Sequence, residues 1–319
     1  MSILVTGGAG FIGSHLLDRL VSWEKNAVCL DNFNDYYSPE TKAKNIKDAQ
    51  ASDFIELIEG DIRDRELCED IFAEHDIESV VHLAAMAGVR PSIERPLLYE
   101  DVNCAGTLNL LECAKDNGVD KFIFGSSSSV YGVKQEAPFK EEPLIGQPIS
   151  PYGATKRSCE IYCHTYHHLY DIPIVCLRFF TVYGPRQRPD LAIYKFTDLI
   201  ERGQPIPVFG DGSSKRDYTY CDDIVDGIMS ALDRDLEFEV INLGGGSPVT
   251  LSQLISLLEE ALGKKAEINR LPDQPGDMPV TSADISRAGE LLDYEPNYPI
   301  EKGLRHFVDW YRGVMNKLQ

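Results

Sequence analysis

The sequence predicts an α/β fold built on a doubly wound parallel sheet, and three observations predict it. Short β-rich runs at 3–6, 27–31, 54–58, 79–83, 121–125 and 174–177 are apolar almost without alternation, as strands covered on both faces must be. Helical patterns, among them 12–21, 64–74 and 97–117, fall between them, so strand and helix alternate. A glycine cluster follows the first strand at once and opens the first helix, where such a sheet carries a phosphate-binding turn.

After about Arg178 the rhythm changes to short strands, loops and scattered helical patterns at 193–202, 223–233, 251–262 and 300–314. The expected division is therefore a first domain over 1–178 and a smaller mixed α/β domain over 179–319, some segments of which return to the first. No Pro- or Ser-rich linker separates them, so a cleft at the junction is expected. There is no internal repeat.

Composition narrows the function. The 319 residues carry 51 Asp+Glu against 31 Lys+Arg, a net charge of −20, which repels a nucleic-acid backbone. No apolar run has the length of a bilayer span, so no membrane partner is expected. Met1 leads straight into the first strand without the pattern of a signal peptide. The 8 cysteines include no Cys-x-x-Cys, and Cys159 and Cys163, one helical turn apart, have no His or further Cys beside them. These features read as free thiols in a cytoplasmic protein with no metal.

The glycine cluster is Gly7-Gly8-Ala9-Gly10-Phe11-Ile12-Gly13. Glycines at these spacings let the backbone turn tightly, approach a pyrophosphate and aim a helix N-terminus at its charge. The second strand ends at Asp31, followed by Asn32, at the distance expected for a carboxylate on the adenosine ribose hydroxyls. That carboxylate repels a 2′-phosphate, so NAD is expected over NADP. Asp61-Ile62, after the third strand, reads as an adenine contact or as a plain turn.

Two stretches carry reactive groups. Ser126-Ser127-Ser128-Ser129-Val130-Tyr131-Gly132 ends the fifth strand, and Tyr152-Gly153-Ala154-Thr155-Lys156 opens a helix. Carboxyl ends of strands face the ligand crevice, and Tyr152 and Lys156 share one helix face. An ammonium beside a phenol favours the phenolate, which makes tyrosine a usable base near neutral pH.

Taken together, these motifs resemble the extended short-chain dehydrogenase/reductase family over essentially the whole chain. Val81-His82-Leu83-Ala84-Ala85, Asn103 and Arg216-Asp217-Tyr218 add to the resemblance. It implies a catalytic triad of Ser127, Tyr152 and Lys156. Cofactor contacts are implied from Gly7, Gly10, Phe11, Ile12, Gly13, Asp31, Asn32, Asp61, Ile62, Leu83, Ala84, Ala85 and Asn103, and from Tyr152 and Lys156 as well. The sugar-nucleotide branches of the family all oxidise sugar carbon 4 first. Its 4,6-dehydratases then use an Asp-Glu pair where this chain has Ser128 and Ser129, and its decarboxylating members use a Glu where this chain has Ser129. Without those groups the keto-sugar has only to turn over and be reduced on its other face, which is 4-epimerisation.

Three stretches resemble the UDP-glucuronate 4-epimerases more than the UDP-galactose ones: Asn34-Asp35-Tyr36-Tyr37, Ala87-Gly88-Val89-Arg90, and the run from Thr181 to Asp190 with Arg186 and Arg188. A sugar carboxylate removed from water needs a cation, although two loop arginines also serve as surface charge or a phosphate clamp. The substrate contacts this resemblance implies are Arg90, Ser127, Ser128, Tyr152, Thr181, Arg186 and Arg188, with Arg216 on the diphosphate and Asp277, beside Gln274, on the uridine ribose. Val208 and Phe209 would wall the uracil, and Phe209 reads equally well as core. The alternatives are a UDP-glucose or UDP-N-acetylglucosamine 4-epimerase, and a non-catalytic NAD-binding sensor or scaffold. By family analogy, helices 97–117 and 152–170 pair across a homodimer.

Overall fold

The computed structural model describes residues 1–132, 136–141, 146–272 and 278–316. Six strands come from residues 1–179: β1 (Ser2–Thr6), β2 (Ala27–Asp31), β3 (Ile55–Glu59), β4 (Ile77–His82), β5 (Lys121–Ser127) and β6 (Ile174–Phe179). The strand Phe238–Leu243 completes a 7-stranded parallel sheet, in the order Phe238–Leu243, β6, β5, β4, β1, β2, β3. Sequence distance hid this last strand, which lies beyond the expected boundary at 178 and pairs Phe238 with Ile174 through Leu243 with Phe179. Between β1 and β4 the direction of winding reverses, and the crevice opened there takes ligands in folds of this kind.

Successive strand residues face opposite layers. Val5 and Val81 pack on Leu16, Ile46 and Ile224 of the helices Phe11–Ser22, Pro39–Gln50 and Cys221–Asp233. Leu4 and Val80 pack on Ile71, Leu110 and Cys163 of Arg65–Glu74, Gly106–Asn117 and Pro151–Tyr170. The helix Pro39–Gln50 escaped the sequence reading because only Lys42, Asn45, Ile46 and Ala49 of its 12 residues are buried; Ser38 caps it, accepting from the Thr41 amide.

The single helix expected over 97–117 is broken. A short helix, Pro96–Tyr99, passes into a π-helical turn, Glu100–Ala105, before the regular helix Gly106–Asn117. This wide turn lifts Asn103 out of the helical stripe and into the core. Beyond β6 the small sheets pair Thr181–Tyr183 with Tyr218–Tyr220, Lys215–Arg216 with Val249–Thr250, and Ile206–Phe209 with Ile268–Leu271. All 8 cysteines are free and buried. Among the described residues no helix is long and apolar enough to cross a membrane.

Candidate active site

One cavity of about 460 Å³ lies at the carboxyl ends of the central strands. Asp31, Asn32, Asp61 and Ile62 line one end, Gly7, Gly10, Phe11, Ile12, Gly13, Leu83, Ala84 and Ala85 the middle, and Ser127, Ser128, Tyr152, Lys156, Thr181 and Arg188 the other.

Missing side chains make the middle possible. A Cβ on Gly13 would stand 2.3 Å from the Gly7 carbonyl oxygen, and one on Gly7 2.7 Å from the Ala84 amide nitrogen; Gly7 also has φ 72°. Gly10 leads into the helix Phe11–Ser22 with no side-chain cap, so the first amides of that helix keep their donors for a ligand.

At the first end, Asp31 is buried and accepts from the Ala9 amide at 3.0 Å and the Phe33 amide at 2.9 Å. Burial pushes its carboxyl up, against those two bonds and the charge of Lys42. Lys42, which the sequence reading missed, donates to the Asn34 backbone oxygen at 2.9 Å and lies 5.1 Å from the centre of the Tyr37 ring. Asp61 accepts from Arg63 at 3.0 and 2.8 Å and from Asn32 at 2.8 Å. Hydrogen bonds from Arg63, outweighing partial burial, hold its carboxyl down at about 2.

Asn103, expected at the cofactor, braces the walls of the site. It lies outside the cavity, accepts from the Met86 amide at 2.8 Å and donates to the Met86 oxygen at 3.1 Å and Thr155 Oγ1 at 3.0 Å. The π-helical turn aims it there, so it ties the loop after β4 to the helix bearing Tyr152 and Lys156.

At the other end, the serine run divides its labour. Ser126 and Ser127 are both buried and both line the cavity, but Ser126 donates to Glu160 at 2.7 Å, whereas the Ser127 Oγ accepts only from the Ser129 amide, at 3.2 Å, among the described residues. Strand alternation sends these neighbours to opposite faces. Ser150 caps the helix Pro151–Tyr170, setting Tyr152 in its first turn and Lys156 one turn later. The Lys156 ammonium donates to the Gly125 oxygen at 2.6 Å and lies 4.8 Å from the Phe124 ring centre. Tyr152 meets Tyr99 edge to face, centroids 6.3 Å apart. Behind Lys156, His82 is held by Thr6 at 2.7 Å and Thr107 at 2.9 Å. Burial, helped by the Lys156 charge, pushes it down to about 3, so it is neutral.

A buried ion pair that no spacing signalled braces this end. Arg178 of β6 donates to both oxygens of Glu160 at 2.8 and 2.9 Å, and Arg157 adds a bond at 2.8 Å. It joins β5 and β6 to the helix of Tyr152 and Lys156.

A second cavity of about 230 Å³ shares Val89, Ser128, Ser129 and Thr181 with the first and is lined by Arg216, whose Nη1 donates to the Lys215 oxygen at 2.9 Å. Arg90 stacks on Phe209 at 5.3 Å, outside both cavities. Val208 and Arg186, also expected to meet the substrate, line neither cavity. Val208 alternates inward along Ile206–Phe209 and is core. Arg186 has φ 62°, which turns its side chain onto Asp18 at 2.7 Å and away from both cavities, while Arg188 faces the first. Asp277 and Gln274 lie outside the described residues.

Known proteins share this arrangement. A UDP-glucuronate 4-epimerase of Thermodesulfobacterium geofontis is 44% identical over 96% of this chain and 95% of its own. The crystal structure of a Bacillus cereus UDP-glucuronic acid 4-epimerase, in complex with UDP-glucuronic acid and NAD, superposes with a TM-score of 0.93 at 42% identity, covering 98% of this chain and 100% of that one. A Thermotoga maritima UDP-glucose 4-epimerase with UDP-glucose follows at a TM-score of 0.91 and 36% identity, over 99% and 100% of the two chains. The family profile of the GDP-mannose 4,6-dehydratases matches residues 4–307. With nearly its whole length matched, the chain belongs to that family, within the extended short-chain dehydrogenases/reductases.

Proposed function

We propose that this protein is an NAD-dependent UDP-sugar 4-epimerase that interconverts UDP-glucuronate and UDP-galacturonate. One observation carries the reaction type. Ser127, Tyr152 and Lys156 line the same end of the main cavity, while its only carboxylates, among the described residues, are Asp31 and Asp61 at the opposite end. The reactive end therefore has a proton acceptor for a sugar hydroxyl and no acid-base pair for eliminating water, so the family's name does not describe this chain's reaction. The relatives in the T. geofontis and B. cereus proteins support the uronate.

The residues present fit NAD: two glycines where a Cβ would collide, an uncapped helix N-terminus and a buried carboxylate at the end of β2. When bound, NAD would supply the acceptor, and then the donor, of the carbon-4 hydride. The chain's part is to manage the proton and hold the sugar. Tyr152 takes the proton of the 4-hydroxyl and returns it after the keto-sugar has turned its other face. Ser127 hydrogen-bonds the same oxygen, and Lys156 keeps a positive charge beside the phenol. Arg188 pairs with the sugar carboxylate, with Thr181 and Ser128 at hand, and Arg216 takes the diphosphate.

The protein is further inferred to be a cytoplasmic homodimer. Eight unpaired thiols suit a reducing compartment. Leu97, 84% exposed, and Ile161, 51% exposed, are apolar side chains left on the helices assigned to the subunit contact.

The test uses protein purified without added cofactor. NAD should appear in the supernatant after denaturation, and proton NMR should show UDP-glucuronate converting to UDP-galacturonate with none added. No conversion of any UDP-sugar refutes the enzyme; conversion of UDP-glucose alone refutes the uronate.

A further inference from the structure

The geometry points to Asp190 as a positioning residue that selects for an acidic sugar by fixing the orientation of Arg188; this rests on the uronate assignment above. Arg188 donates through Nε and Nη2 to the two oxygens of Asp190, at 2.9 and 3.0 Å. Such a fork fixes the guanidinium plane, which a single hydrogen bond does not. A ring holds the same plane from its face, since the guanidinium carbon lies 5.2 Å from the Tyr36 ring centre and the Tyr36 hydroxyl is 3.5 Å from Asp190. Pro189, between the two charged residues, restricts the backbone that brings them together.

A guanidinium has five donors, and the fork occupies two. Nη1 and the second hydrogen of Nη2 form an unused edge among the described residues, on a side chain that lines the cavity together with Tyr152. That edge matches a second carboxylate. A hydroxymethyl group in its place uses none of that geometry. Asp190 itself does not line the cavity, and its side chain is 44% exposed. Its charge is thus shared with water, and an incoming uronate meets little repulsion from it. It also compensates Arg188 when no sugar is bound, in a cavity that already holds Lys42 and Lys156.

The test compares Asp190→Asn and Asp190→Glu with the wild type, using full-length NAD-loaded protein. For Asp190→Asn, KM for UDP-glucuronate should rise about tenfold with kcat within about twofold, and the inhibition or Michaelis constant for UDP-glucose should stay within about twofold. Asp190→Glu, which can rebuild the fork, should recover most of the loss, and the melting temperature and bound NAD should be unchanged in both. An unchanged or lower KM for UDP-glucuronate in Asp190→Asn overturns the proposal, as does an equal rise for both sugars or no recovery in Asp190→Glu. A wild type that never converts UDP-glucuronate sinks the functional assignment and this proposal together, whereas wild-type conversion with an indifferent Asp190→Asn sinks this proposal alone.

Discussion

Replacing Glu160 by Gln removes one charge and almost no volume, at the point where three elements of the reactive end are tied together. Glu160 is buried on the helix that carries Tyr152 and Lys156; it accepts two bonds from buried Arg178, one from Ser126 and one from Arg157. Burial acts to raise its carboxyl pKa, but the bonds and charge of Arg178, with Ser126 and Arg157, hold it below the usual range. A depressed carboxylate contributes stability above its unfolded value and loses it as the pH falls through its folded one, so the pair is at full strength at neutral pH. Gln leaves the Arg178 guanidinium in the core without its counter-charge, which costs on the order of 3–5 kcal/mol. With unfolding entropy near 2 cal/mol/K per residue, a loss of about 4 kcal/mol in a chain this long lowers the melting temperature by about 6 °C. Turnover should fall too, because Ser126 and the Tyr152 helix lose their common anchor while no group touching the substrate has changed. Calorimetry and the epimerase assay read the two effects, and Arg178→Met in the Glu160→Gln background should restore part of the stability by replacing the orphaned charge with an apolar chain. A melting temperature within about 1 °C of wild type for Glu160→Gln, or further loss in the double variant, refutes the argument.

Other expected outcomes test the site directly. Tyr152→Phe should keep NAD and UDP-sugar binding and lose most turnover, since the ring stays and the proton acceptor goes; near-normal kcat removes Tyr152 from the chemistry. Asp31→Ala should weaken NAD and narrow the preference against NADP, read by titrating both cofactors; an unchanged ratio refutes the ribose placement. Arg188→Ala should cost on the order of 2–5 kcal/mol in kcat/KM for UDP-glucuronate but little for UDP-glucose, while Arg186→Ala, paired to Asp18 outside both cavities, should spare both substrates. Equal falls in the two ratios for Arg188→Ala assign it to the diphosphate instead. For pH, the folded state holds His82 neutral, with its value pushed down to about 3. The unfolded chain therefore takes up the proton first, and stability present above about pH 6.5 is lost as pH falls toward 3, at up to about 1.4 kcal/mol per unit from this residue. In denaturant unfolding at several pH values, His82→Gln should flatten that slope by one proton; equal slopes count against a neutral buried imidazole.

The sequence by itself determined whatever depends on short-range geometry. A helix places Tyr152 and Lys156 on one face at any four-residue spacing, glycines at 7, 10 and 13 shape a turn wherever it is built, and continuous apolar runs specify a sheet covered on both sides. Tertiary structure decided what depends on direction and on partners far along the chain. A single positive φ at Arg186 separates it from Arg188, two residues on, and no composition or period carries that sign. No spacing signals that the π-helical turn aims the Asn103 amide at Met86 and Thr155. Ser126 and Ser127 are equivalent as text, and only the pleat of β5 gives the Ser126 hydroxyl to Glu160 and leaves that of Ser127 with no side-chain partner among the described residues. The Glu160–Arg178 pair and the strand Phe238–Leu243 have no local signature at all, because each is stabilised by a neighbour that folding, rather than sequence proximity, brings within reach.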